Sequence, residues 1–281
     1  MVYSNKMSRN LAIVICHGSY HSPAPYQPLI HAIQSRGIDA YCPQRPTCDL
    51  ANLNVGTDLH HPDFDRPPPE TGYPSDTEDV DAVLDLVKQL VRDGKRVLLV
   101  GHSSGGWVAS QAAIPAVQAT AGQTDGVIGI FYIGAFVIPV GESVHSFFQP
   151  AGGEVIAPPF MEFHKHGPEG LGTIVDAPRF LFNDLDADDA QKWTATLTAS
   201  PIMTTPLTND PYKTLPCAYL VLENDRTLPC EYQEKMVELQ TQAGGTFTMY
   251  RAAAGHSPHL SWTGGLVDRM EAFVDSLRDG Q

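Results

Sequence analysis

The sequence has no apolar stretch long enough to cross a bilayer. Its longest runs, "LAIVIC", "VLLV" and "VIGIFYIGAFVIPV", are too short or too broken by glycine for the roughly 20 residues that a spanning helix needs. The N-terminal "MVYSNKMSRN" lacks a long apolar region followed by a small-residue cleavage site, so no secretory signal is read there. Positive charge is scarce too: 18 Lys and Arg against 32 Asp and Glu leave a net charge of -14, with no basic run or stripe. The electrostatic footprint of nucleic-acid binding, or of docking on an anionic membrane, is therefore missing. The expected partner is a small-molecule substrate, and the chain is compatible with a monomer or a homodimer.

Cysteine is sparse and odd in number. Cys16, Cys42, Cys48, Cys217 and Cys230 are scattered, which suggests a reduced, cytoplasmic chain. The G-x-G-x-x-G spacing of dinucleotide binding and the lysine of a Walker A loop are both absent, so no cofactor is expected. His60, His61, Asp63 and Asp65 in "HHPDFD", and His164 with His166 in "FHKHG", have no recognised ligand spacing. They are read as structural or solvated, with no metal, although either of the latter histidines could reach substrate from a cap.

What is present is an alternation. Short runs rich in β-branched residues recur at 11–16, 39–42, 96–101, 126–133, 217–223 and 247–252, apolar on both faces as a covered parallel sheet requires. Between them lie helical patterns, the clearest at 76–92, where Val80, Val83, Leu84, Val87, Leu90 and Val91 keep the i, i+3, i+4, i+7 spacing. Ser75 and Glu78 are placed to form a capping box at its start. No composition break divides the 281 residues, so one doubly wound α/β domain is expected. The proline-rich stretch 43–74 reads as a long surface loop. Residues 139–212 are far too many for a simple connection and read as an inserted helical cap, leaving 213–281 as the C-terminal part of the core.

Chemistry concentrates at "GHSSGGW". Gly101, His102, Ser103, Ser104 and Gly105 spell G-x-S-x-G between a strand pattern and a helix pattern, the context of a nucleophile elbow. The motif centres on Ser103, and the Ser104 N–H is then placed as an oxyanion donor. An acid after a late strand and a histidine after the last one complete such a site in that chain order. Asp225 in "LVLENDRTLP" and His256 in "RAAAGHSPHL" meet that requirement, with Glu223 and Asp210 as rival acids. The loop "CHGSYHSP" after the first strand offers Ser19 as the second oxyanion donor, with Tyr20 and His21 at the pocket entrance. His102, Trp107 and Phe136 are further pocket candidates, although Trp107 suits core packing of the nucleophile helix better, and Phe131 and Tyr132 are read as core. Trp193, Phe180, Phe182 and Met203 would form an apolar underside of the cap.

"VICHGSYHSPAPYQPLIHAIQSRGIDAYCPQRP", "VLLVGHSSGGWVA", "FYIGAFVIP", "LVLENDRTLP" and "AGHSPHL" together resemble the α/β-hydrolase superfamily. Within it they are most similar to the branch of plant methylesterases and hydroxynitrile lyases. The resemblance spans nearly the whole chain, weakest at 50–75 and in the cap. It implies an α/β-hydrolase fold with a mostly parallel sheet of about six strands, helices on both sides and an inserted helical cap. It implies a catalytic trio of Ser103, Asp225 and His256, with Ser19, where the methylesterases usually carry a small residue, at the oxyanion position. The lyases carry lysine directly after the catalytic histidine, and this chain has Ser257. The expected activity is that of a cofactor-independent serine esterase or lactonase. A lyase or cyclase of specialised metabolism and a non-catalytic binder are the alternatives.

Overall fold

The computed structural model describes residues 10–120, 123, 125–150 and 155–279. Apart from Asn10, the N-terminal stretch read for a leader lies outside the described residues. Among the described residues, eight strands run β1 (Leu11–Cys16), β2 (Asp39–Tyr41), β3 (Arg96–His102), β4 (Gly126–Ile133), β5 (Met161–Phe163), β6 (Gly172–Ile174), β7 (Cys217–Leu222) and β8 (Phe247–Ala252). The helices are α1 (Gln27–Ser35), α2 (Asp76–Arg92), α3 (Gly105–Ala112), α4 (Val144–Phe148), α5 (Ala177–Phe180), α6 (Ala187–Thr194), α7 (Cys230–Gln242), α8 (Pro258–Ser261) and α9 (Thr263–Asp279). This is the α/β-hydrolase fold: six parallel strands in the order β2-β1-β3-β4-β7-β8, flanked by helices.

The two-residue period of a strand sorts the core into two layers. Ala12 and Val14 of β1, Val97 and Leu99 of β3 and Tyr132 of β4 face one side, where they bury Val80, Val83 and Val87 of α2 and Trp107 and Val108 of α3. Ile13, Ile15, Leu98, Val100 and Phe131 face the other, against Leu29 and Ile33 of α1 and Leu266, Met270 and Phe273 of α9. Helix α2 begins as its sequence predicts, with the Ser75 N–H donating to Glu78 Oε2 at 2.6 Å. All five cysteines are free thiols, and burial pushes that of Cys16 up to about 12, which keeps it inert.

The stretch 139–212 differs in part from its expected helical character. Besides the short helices α4, α5 and α6 it holds an antiparallel ribbon, β5 with β6. Each of these two strands is three residues long and lacks the β-branched apolar run that marks the main sheet. Ala177, Leu181, Phe182 and Ala190 give it a small apolar cluster separate from the two layers of the sheet.

Candidate active site

β3 ends at His102, and the next residue takes an unusual conformation: Ser103 has φ 53°, in the left-handed region that costs a side-chain-bearing residue about 1–2 kcal/mol. The turn is held from three sides. The Ser103 N–H donates to Ile133 O at 3.3 Å, and the N–H groups of Gly106 and Phe136 donate to Ser103 O, each at 3.0 Å. Such a sharp strand-to-helix turn leaves no room for side chains at its glycines. A Cβ on Gly101 would lie 2.7 Å from Gly106 Cα, and one on Gly105 would run into the backbone carbonyl of Cys16.

Ser103 and His256 line one cavity of about 450 Å³. His256 Nδ1 hydrogen-bonds Asp225 Oδ2 at 2.7 Å, with both side chains buried. The carboxylate is fixed in turn, since its Oδ1 accepts from the N–H groups of Thr227 and Leu228, each at 2.8 Å. The rival acids are elsewhere. Glu223 is exposed and pairs with Arg251, and Asp210 pairs with Lys213 at 2.9 Å. With Nδ1 engaged, His256 Nε2 is the ring nitrogen left to exchange a proton at the cavity.

The loop after β1 closes on the serine. A Cβ on Gly18 would stand 3.1 Å from Ser103 Cβ and 3.6 Å from its Oγ, so any larger residue here would crowd the serine. Ser19, Tyr20, His21 and Ser104 also line the cavity. Among the described residues the Ser104 N–H makes no hydrogen bond. Ser19 departs from expectation: its N–H donates to Ser104 Oγ at 2.7 Å and so is already engaged.

Phe136 and Met203 line the cavity as expected, joined by Val144, Phe148, Met161 and Leu181. His102 and Trp107 do not. Trp107 is 1% exposed and packs in the sheet's α2–α3 layer, because the helix following the elbow turns that face toward the core. His102 lies beneath the site, and burial, with the neighbouring His256 and His259, lowers its pKa well below the ordinary imidazole value. The neutral ring has a single N–H, which donates from Nε2 to His256 O at 2.7 Å; its Nδ1 accepts from Tyr26 Oη at 2.6 Å. His102 therefore holds the backbone of the histidine loop. Phe182 and Trp193 belong to the cluster around α5 and α6, and Phe180 packs against Phe160 with the rings tilted; none of the three lines the cavity. Phe131 and Tyr132 are core residues.

His61 pairs with Asp58 at the surface, His164 bonds Thr173 at 2.8 Å, and neither His164 nor His166 reaches the cavity. No group of His, Cys, Asp and Glu fit to hold a metal occurs among the described residues. No described helix is long and apolar enough to cross a membrane.

Sequence reasoning missed a buried ion pair under the loop after β1. Arg45 Nε donates to Asp79 Oδ2 at 2.8 Å, with side chains 1% and 0% exposed. Burial opposes the guanidinium's charge, and Asp79 more than offsets it, so the pKa of Arg45 stands above its ordinary value. The sequence signal was an arginine between prolines in "PQRPT", and nothing local distinguishes it from a solvated loop residue.

A model of the alpha/beta hydrolase family matches residues 13–275. The chain is 27% identical over 256 residues to "Alpha/beta hydrolase nvfD" of Aspergillus novofumigatus (strain IBT 16806), covering 89% of this chain and 91% of that one. Among solved structures, a pyrethroid hydrolase from Sphingobium faniae JZ-2 superposes with a TM-score of 0.66 at 18% identity, covering 95% of this chain and 97% of its own. The methylesterase protein MES16 from Arabidopsis does so with a TM-score of 0.63 at 17% identity, covering 94% and 99%. At these identities the structural likeness speaks for the fold alone.

Proposed function

The chain belongs to the alpha/beta hydrolase family, and from that premise we propose that it is a cofactor-independent serine hydrolase cleaving an ester or lactone of an apolar or aromatic molecule. The observation that carries the reading is the buried Asp225–His256 hydrogen bond of 2.7 Å opening on the same cavity as the strained Ser103. Ser103 Oγ attacks the substrate carbonyl carbon while its proton passes to His256 Nε2. Asp225 fixes the tautomer and stabilises the imidazolium. The tetrahedral oxyanion is met by the Ser104 N–H and by a second donor from Ser19. As the intermediate collapses, His256 returns the proton to the departing alcohol oxygen, and a water molecule, activated by the same histidine, then hydrolyses the acyl-enzyme.

The cavity supports the substrate class. Among the described residues no carboxylate lines it, and Phe136, Val144, Phe148, Met161, Leu181 and Met203 make it mainly apolar. Most of these come from residues 139–212, which we read as a cap that selects the acyl or alcohol part. Ser257, where the lyases of the resemblance carry lysine, is buried and uncharged, so a departing anion would find no cation there. A panel of methyl, aryl and lactone esters offered to wild type and Ser103→Ala tests the reading. Turnover by wild type alone is expected. Chemistry retained in Ser103→Ala but lost in His256→Ala would overturn it in favour of acid–base lyase or cyclase chemistry.

A further inference from the structure

The engaged Ser19 N–H raises the question of what Ser19 offers to an oxyanion. Ser104 Oγ has three close partners: the Ser19 N–H at 2.7 Å, Arg45 Nη1 at 2.9 Å and Ser19 Oγ at 2.8 Å. A hydroxyl oxygen accepts through two lone pairs and donates one hydrogen. The backbone N–H and the guanidinium can only donate, so together they fill both lone pairs of Ser104. Its own hydrogen must then go to Ser19 Oγ. Ser19 Oγ is left with its own hydrogen to donate, and the only described acceptor near it is the thioether of Met203, at 3.8 Å. That is a weak acceptor at a long distance, and a substrate oxygen in the cavity displaces it readily.

Arg45 is what enforces this direction. Its guanidinium is anchored at Nε by Asp79 and at Nη1 by His17 O at 2.9 Å, and Asp79 also accepts from Thr47 Oγ1 at 2.7 Å and from the Thr47 N–H at 3.0 Å. The fork is rigid, buried and permanently charged, so Ser104 Oγ always faces a donor on that side. The Ser19 peptide is pinned from its other end, where His21 Nδ1 donates to Ser19 O at 2.8 Å.

We propose that Ser19 acts on the substrate oxyanion through its side-chain hydroxyl rather than its backbone N–H, and that Asp79, Arg45 and Ser104 form a one-way hydrogen-bond relay that aims it. This rests on the serine hydrolase reading above. Ser19 is then a catalytic residue, while Ser104 Oγ, Arg45 and Asp79 are positioning residues. A hydroxyl is a donor that reorients when its acceptors change; the relay removes that freedom before the charge develops, which is the condition for a donor to favour the transition state.

The test is a kinetic cycle on the ester that wild type turns over best, with thermal stability recorded for each variant. Ser19→Ala keeps the backbone N–H but loses the hydroxyl, and its kcat should fall by about 10²- to 10³-fold with little change in KM. Ser19→Thr restores the hydroxyl and should recover most of that loss. Ser104→Ala releases the Ser19 N–H to face the cavity, so Ser19→Ala should cost less in that background than in wild type, making the combined loss smaller than the product of the two. A wild-type kcat in Ser19→Ala, with Ser103→Ala inactive, overturns the side-chain donor and leaves the hydrolase reading standing. Strictly multiplicative losses overturn the relay. Full activity in Ser103→Ala instead removes the underlying reading.

Discussion

At the residue scale, two carboxylates two positions apart meet opposite fates. The strand β7 ends at Leu222, and the turn that follows buries Asp225 against His256 while Glu223 remains at the surface with Arg251. Replacing Asp225 by Asn keeps the shape but favours the wrong tautomer of His256, and kcat should fall by about 10⁴-fold. Glu223→Gln should leave turnover unchanged, and steady-state kinetics on the two variants checks the pair. The same contrast shows why the sequence favours Asp225, just past an apolar run, yet keeps Glu223 as a rival: only the turn after the run decides which side chain points inward. Arg45 was illegible for a related reason. A buried cation is defined by its partner, and Asp79 lies 34 positions away, in the first turn of α2, where an acid is expected for the helix dipole alone.

At the scale of elements, the strand-to-helix turn between β3 and α3 depends on contact with β1. Gly105→Ala would drive a methyl group into the Cys16 carbonyl and should destabilise the protein by about 3 kcal/mol, read as a lower urea midpoint. Strands β1, β3, β4 and β7 were legible because they are buried apolar runs of six to eight residues with turn residues between them, and α2 because its stripe repeats over 17 residues. The elements of 139–212 are three to eight residues long, too short for a period to show, so the ribbon β5–β6 went unseen. These same elements shape the cavity. Met161→Trp adds bulk to its wall, so KM should rise for esters with a large aryl group and stay near wild type for methyl esters of short acids, as competition kinetics would show.

At the scale of the whole molecule, the core holds several histidines in the neutral form. Burial, the largest cause in each case, sets the pKa values of His17, His102 and His259 well below the ordinary 6.5 and lowers that of His21 to about 4. The unfolded chain takes up protons at 6.5 that the folded chain refuses, so folding stability is full above that pH and is lost as pH falls below it. Each such group removes about 1.4 kcal/mol per pH unit below 6.5. Urea unfolding at pH 7.5 and 5.5 should show a clearly lower stability at the acid value; an equal or higher one would contradict the neutral cluster.

The strained turn positions Ser103 to form a covalent acyl intermediate during turnover. Rapid acid quenching during turnover of an activated aryl ester, followed by peptide mass spectrometry, tests it directly. The expected result is a mass gain equal to the acyl group on Ser103, absent from Ser103→Ala. An adduct on Ser104, or turnover that persists with no adduct in Ser103→Ala, would contradict it.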